Sequence, residues 1–182
     1  GPEIRARDTA LVTRYAARLA RITGHSISVT TGPANFHVLV ASDDDRAFVE
    51  NRMRQIVPGI GPAELDVFTK LPRTYYCFVN ASTAANPPYT YARAVALVRA
   101  EHPDLMRDAC YHEEIAQGLG IPNDSPRARP SIFNDDDEFA YLTSHDERLL
   151  NMLYDPRLSP GMTADDARPI VQVMAGELMG TQ

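Results

Sequence analysis

Apolar positions recur at helical spacing along Leu11, Val12, Tyr15, Leu19 and Ile22, and Gly24 follows them. This predicts a first helix from about Asp8 to Ile22. The period then falls to two. Ile27, Val29, Phe36, Val38 and Val40 alternate with polar or small neighbours, which predicts half-buried strands at His25–Thr30 and Phe36–Ala41 around a Gly32-Pro33 turn. Asp43-Asp44-Asp45 opens a second helix to about Ile56, because carboxylates at a helix start accept from free N–H groups and suit the dipole. A short helix is predicted over Pro62–Thr69, then strands at Tyr75–Val79 and Tyr91–Val98 with Asn80–Thr90 as an exposed loop. Tyr75, Tyr76, Phe78, Tyr89 and Tyr91 are read as strand and core residues rather than a ligand platform. A helix follows from Pro103 to about Leu119, then a loop of roughly 20 residues carrying Pro122, Pro126 and Pro130. Thr143 starts a further helix, with Asp146 at its third position, and a last one runs from Thr163 to about Leu178.

These elements predict an α+β fold: a mixed, twisted sheet packed against helices in one domain over residues 1–182. Residues 1–7 read as a tail, whose Gly1-Pro2 resembles the scar of a cleaved tag, and 156–182 as a C-terminal helical extension. The net charge of −6 offers no basic face to a nucleic acid or an anionic membrane. No apolar run approaches the ~20 residues that span a bilayer.

The two cysteines, Cys77 and Cys110, fall in a predicted strand and a predicted helix. Reduced, they would be core thiols; in an exported protein they would pair, closing a loop of about 30 residues at a gain of roughly 3–4 kcal/mol. The second reading is preferred.

Candidate chemistry concentrates in Glu113-Glu114-Ile115-Ala116-Gln117-Gly118-Leu119-Gly120-Ile121-Pro122-Asn123-Asp124. On a helix Glu113 and Gln117 sit one turn apart on one face, with Glu114 beside them. Gly120 permits a chain reversal that carries Asn123 or Asp124 back towards them. Metal peptidases use this geometry: two ligands one turn apart, a glutamate that activates water, and a third ligand beyond the turn.

The stretch resembles the H-E-x-x-H-x-x-G-x-x-H of metzincin zinc peptidases, written here E-E-x-x-Q-x-x-G-x-x-N. Glu114 and Gly120 match; the three ligand histidines are replaced by Glu113, Gln117 and Asn123. Ser131-Ile132-Phe133 stands where matrixin-like enzymes carry a methionine turn, and Leu142-Thr143 with Leu153-Tyr154 is similar to the ends of their closing helix. The blocks Asn123-Asp124-Ser125-Pro126, Pro130 to Asp135 and Leu153-Tyr154-Asp155-Pro156 resemble a bacterial family of domains of unknown function, number 2927, some of whose members read as lipoproteins. That resemblance implies an exported bacterial protein, periplasmic or secreted, with a lipid anchor upstream of residue 1 as one form of attachment.

Amide and carboxylate oxygens are poor zinc donors, so no catalytic zinc and no other cofactor is expected. Calcium suits such oxygens better, and Asp135, Asp136, Asp137 and Glu138 lie nearby in sequence. The bland reading is a buried hydrogen-bond network of Glu113, Glu114 and Gln117 with Arg127 or Arg129 as partner. His112 lies one residue out of register, about 100° around the helix, and is read as a surface or partly buried residue. The expected function is a non-catalytic binding or scaffolding module of the cell envelope. Its cleft of Glu113, Glu114, Gln117, Asn123 and Asp124, beside the strand at 91–98, would take a protein or peptide partner. The alternative is a metal-dependent hydrolase with Glu114 as general base and Glu113, Gln117, Asn123 or Asp124 as ligands. A third reading has loop 122–141 filling the cleft in a structural protein.

Overall fold

The computed structural model describes residues 5–85, 89–134, 136 and 138–180. Helix α1 spans Ala6–Thr23, strand β1 Phe36–Ala41, α2 Arg46–Ile56, α3 Pro62–Thr69, β2 Cys77–Thr83 and β3 Tyr91–Arg99. Then come α4 at Asp104–Gln117, α5 at Ser144–Leu153 and α6 at Ala164–Gly180. The chain is α+β, as its periodicity predicts.

The sheet order is β1-β3-β2, with β1 parallel and β2 antiparallel to the central β3. Period-two alternation sends Val40 and Val98 to a core formed with α1, α4 and α5, while Leu39, Ala41, Val95 and Leu97 face α2 and α3. The sheet is therefore covered on both sides. The expectation that β1 is half-buried is corrected here: Leu39 and Ala41 carry a second core of their own.

Other expectations need correction. His25–Thr30 forms no strand: Ile27 packs on the core, but Val29 is exposed and nothing pairs with this segment's backbone as a ladder. Alternation alone cannot supply a partner strand. Strand β2 starts two residues later than predicted and runs through Thr83, into the expected loop, because β3 templates it. Tyr75, Tyr76 and Tyr89 are 56%, 41% and 72% exposed, so they are not core residues; Phe78 does pack, against Phe68. Helix α1 begins at Ala6, within the predicted tail, and Arg7 pairs there with Asp108 at 2.7 Å.

The acidic triplet is a short 3-10 turn rather than the first turn of α2. Asp45 accepts from the N–H and hydroxyl of Ser42, and Asp43 pairs with Arg99 and Arg73. Helix α5 has the predicted capping box, Thr143 and Asp146 each accepting from the other's backbone. Disulfide Cys77–Cys110 ties β2 to α4 across a Cα–Cα distance of 5.8 Å. No helix among the described residues is long and apolar enough to cross a membrane.

Candidate functional site

Helix α4 carries the site. Its buried face, Cys110, Tyr111, Ile115 and Ala116, is held between α1, the sheet and Phe133 of the following loop. Glu113 is then half-buried, while Glu114 and Gln117 are buried. The helix ends at Gln117 because Gly118, Leu119 and Gly120 turn their N–H groups back to Glu114, Ala116 and Gln117. A Cβ at Gly118 would collide with the Phe36 ring, and Gly120 adopts φ +128°, so both glycines are required by the reversal.

The reversal delivers Asp124, not Asn123. Gln117 Nε2 donates to Asp124 Oδ1 at 2.8 Å and lies 3.4 Å from Glu113 Oε1. Asn123 is exposed and makes no side-chain hydrogen bond among the described residues. Glu114 is 5% exposed, and its Oε2 has no hydrogen-bond partner among the described residues. Burial, then the nearby Glu113 and Asp124, push its carboxyl up to about 9, so it is protonated at neutral pH.

Gln117 turns its nitrogen, not its oxygen, towards two carboxylates. An amide nitrogen is no metal ligand, so Glu113, Gln117 and Asp124 close on one another through hydrogen bonds. Cys77 Sγ and one oxygen each of Glu113 and Glu114 lie within 4.8 Å of one another. That sulfur is committed to Cys110 and offers no thiolate in this state.

The predicted arginine partners go elsewhere. Arg129 pairs with Asp136 and Glu138, while Arg127 is exposed and among the described residues only its backbone N–H is bonded, to Ser125. Asp135 and Asp137 of the acidic run lie outside the described residues. The loop is pinned on itself: Asn134 donates to the carbonyls of Ser125 and Ala128. Strand 91–98, expected to border the cleft, is the central β3; the free edge near α4 belongs to β2.

His112 is buried rather than superficial, at 7% exposure. Its ring lies 4.0 Å from that of Tyr15 and edge-on to Tyr141, and Nδ1 accepts from the Leu142 N–H at 3.1 Å. Burial first, then Arg18, push its pKa down to about 4 against the pull of Asp108. It borders a groove of about 330 Å³ with Arg7, Arg14, Arg18 and Tyr141, which shares no residue with the carboxylate group.

Two further buried polar centres lie outside the 113–124 stretch. Asp146 accepts from Ser131 Oγ, the Ile132 N–H and Thr143, anchoring the Ser131-Ile132 segment to α5. Arg107 bonds Asp8 at 3.0 Å with both side chains buried. The capping box gave a signal for the first; 99 residues of separation hid the second.

Comparison with curated proteins and with solved structures returns no match to this chain. A family model described as "Protein of unknown function (DUF2927)" matches residues 1–173. The chain is therefore a member of that family.

Proposed function

We propose that this chain is a non-catalytic, metzincin-like binding module of the bacterial cell envelope that captures an extended peptide along the outer edge of β2. The observation that carries the reading is the amide of Gln117 donating towards Asp124 and Glu113, which fills the place of an ion with a closed polar group. A disulfide on the same helix fits an oxidising compartment, periplasmic or secreted, and a lipid anchor upstream would suit it there.

The edge is built for pairing. Arg99 N–H bonds Tyr76 O and Ala94 N–H bonds Asn35 O, so alternate residues of β3 face β2 and β1. In the observed register Phe78 and Asn80 then bond β3, while Val79 and Ala81 direct their N–H and C=O groups outwards. Neither outward group is paired with backbone among the described residues. Exposed Tyr75 and Tyr76 precede the strand, amphipathic contact residues of the kind interfaces favour. Glu113 lies beside Cys77 at the same end, so a lysine or arginine in the peptide has a carboxylate to meet.

The test is binding of a basic, extended-peptide library followed by hydrogen exchange. Capture should slow exchange at Val79 and Ala81. Ala81→Pro removes one outward N–H without touching the β2–β3 ladder and should weaken capture roughly tenfold, the loss of about one hydrogen bond. The reading fails if the oxidised protein, purified without chelator, carries a stoichiometric transition metal and hydrolyses peptides in a manner abolished by Glu114→Gln.

A further inference from the structure

Disulfide and carboxylates share one face of α4. Cys110, Glu113 and Glu114 are spaced i, i+3 and i+4, so their side chains project together, and β2 brings Cys77 to the same point. Cys77 Sγ and the two glutamate oxygens already lie within 4.8 Å of one another. Glu114 is a second and independent sign of a ligand position: it is 95% shielded, faces this cluster, and leaves Oε2 without a donor among the described residues.

We propose that reduction of Cys77–Cys110 opens a metal site here, in which the two thiolates and the carboxylates of Glu113 and Glu114 hold a divalent ion of the zinc class. A dithiol reductant delivers two electrons and two protons to the S–S bond and becomes a disulfide itself. The bond breaks to give two thiols. Each thiol, and the Glu114 carboxyl, releases its proton to solvent as the ion binds. Two sulfurs and two oxygens make a donor set that zinc favours, unlike the amides of the oxidised cluster. Tetrahedral ligands at zinc distances stand about 3.5 Å apart, so the glutamates must close in on Cys77 while the two sulfurs separate and Cys110 swings towards the group, all by side-chain rotation. The oxidised chain holds the same residues with both sulfurs occupied. The site is thus a readout of thiol oxidation; it shares Glu113 and the Cys77 end of β2 with the peptide surface, but its metal readouts use no peptide.

Cobalt(II) is the probe, titrated into oxidised protein and into protein reduced with a phosphine, with far-ultraviolet circular dichroism reporting the fold. The reduced, folded chain should take up one equivalent, with a near-ultraviolet sulfur-to-cobalt band and tetrahedral visible bands that zinc abolishes. The oxidised chain should show neither. Cys77→Ser should lose the sulfur band of a second thiolate, and the pair Glu113→Ala, Glu114→Ala should weaken binding roughly tenfold or more, as expected when two of four ligands go. Equal affinity in the glutamate pair, or equal binding by oxidised protein, overturns the proposal, as does a reduced, folded chain that stays colourless. Should reduction unfold the chain, Cys110→Ser leaves the Cys77 thiol beside both glutamates with no disulfide. Failure of that variant to bind cobalt, folded or not, overturns it equally. Peptide binding enters none of these readouts, so failure of capture and failure of the metal site are distinguishable.

Discussion

Asp146 and Glu114 are both buried carboxylic acids, one on α5 and one on α4, and their surroundings are opposite. Asp146 is fully buried and accepts from Ser131 Oγ at 2.5 Å, from the Ile132 N–H at 3.1 Å and from the N–H and hydroxyl of Thr143. Glu114 is nearly as buried, lies among Glu113 and Asp124, and has an oxygen with no donor among the described residues. Hydrogen bonds from Ser131, Ile132 and Thr143 offset the burial of Asp146. No donor among the described residues does the same for Glu114 Oε2, so the group gives up its charge instead. One acid fastens a loop to a helix; the other is buried with one oxygen that meets no donor among the described residues.

Substitution should separate the two by sign. Asp146→Ala leaves the Ile132 and Thr143 N–H groups and the buried Ser131 hydroxyl without their acceptor and should destabilise by about 3–5 kcal/mol, read from urea unfolding. A loss under about 1 kcal/mol would make the two acids equivalent and break the contrast.

Glu114→Gln should do the reverse. The folded carboxyl, at about 9, lies above its ordinary value of 4.5, so wild-type stability falls as pH rises between those limits. Glutamine copies the neutral acid and removes that dependence. Stability at pH 7 should rise by roughly 2–3 kcal/mol, with little change at pH 4. Unfolding curves across that range check both statements, and a variant less stable than wild type at pH 8 would mean that Glu114 is ionised and paired.

His112 sharpens the comparison from the base side. Its folded pKa, about 4, lies below the ordinary 6.5, so the unfolded chain binds more protons between these values. Its contribution is complete above pH 6.5 and fades as pH falls towards 4, by up to roughly 2–3 kcal/mol. His112→Gln should flatten that acid limb of the stability profile. A limb that persists unchanged would assign it to other groups.

Much of the fold is readable along the chain, and the reason is local. Phe36–Ala41 and Pro62–Thr69 are predicted to the residue, and Thr143 with Asp146 announces α5, because period, proline and capping chemistry act over a few neighbours. The clustering of Glu113, Glu114 and Gln117 follows from helical spacing alone. The pairing of Cys77 with Cys110 was the preferred reading and is what the structure contains.

What failed depends on partners distant in the chain. His25–Thr30 alternates like a strand yet meets no neighbouring ladder, while β2 extends past its own pattern because β3 lies alongside. Asp124 rather than Asn123 reaches Gln117, since both follow the same turn and only the path of the loop chooses between them. His112, read as a surface or partly buried residue, is buried because α1 and the chain at Tyr141 close over it. The amino-acid order by itself determined where α4 lies, which acids it carries, and that no histidine replaces them at ligand spacing. Only tertiary structure decided that Glu114 is buried without a donor among the described residues and that the disulfide sits against it. Burial and donor count are sums over neighbours from the whole fold, and no local stretch of sequence contains them.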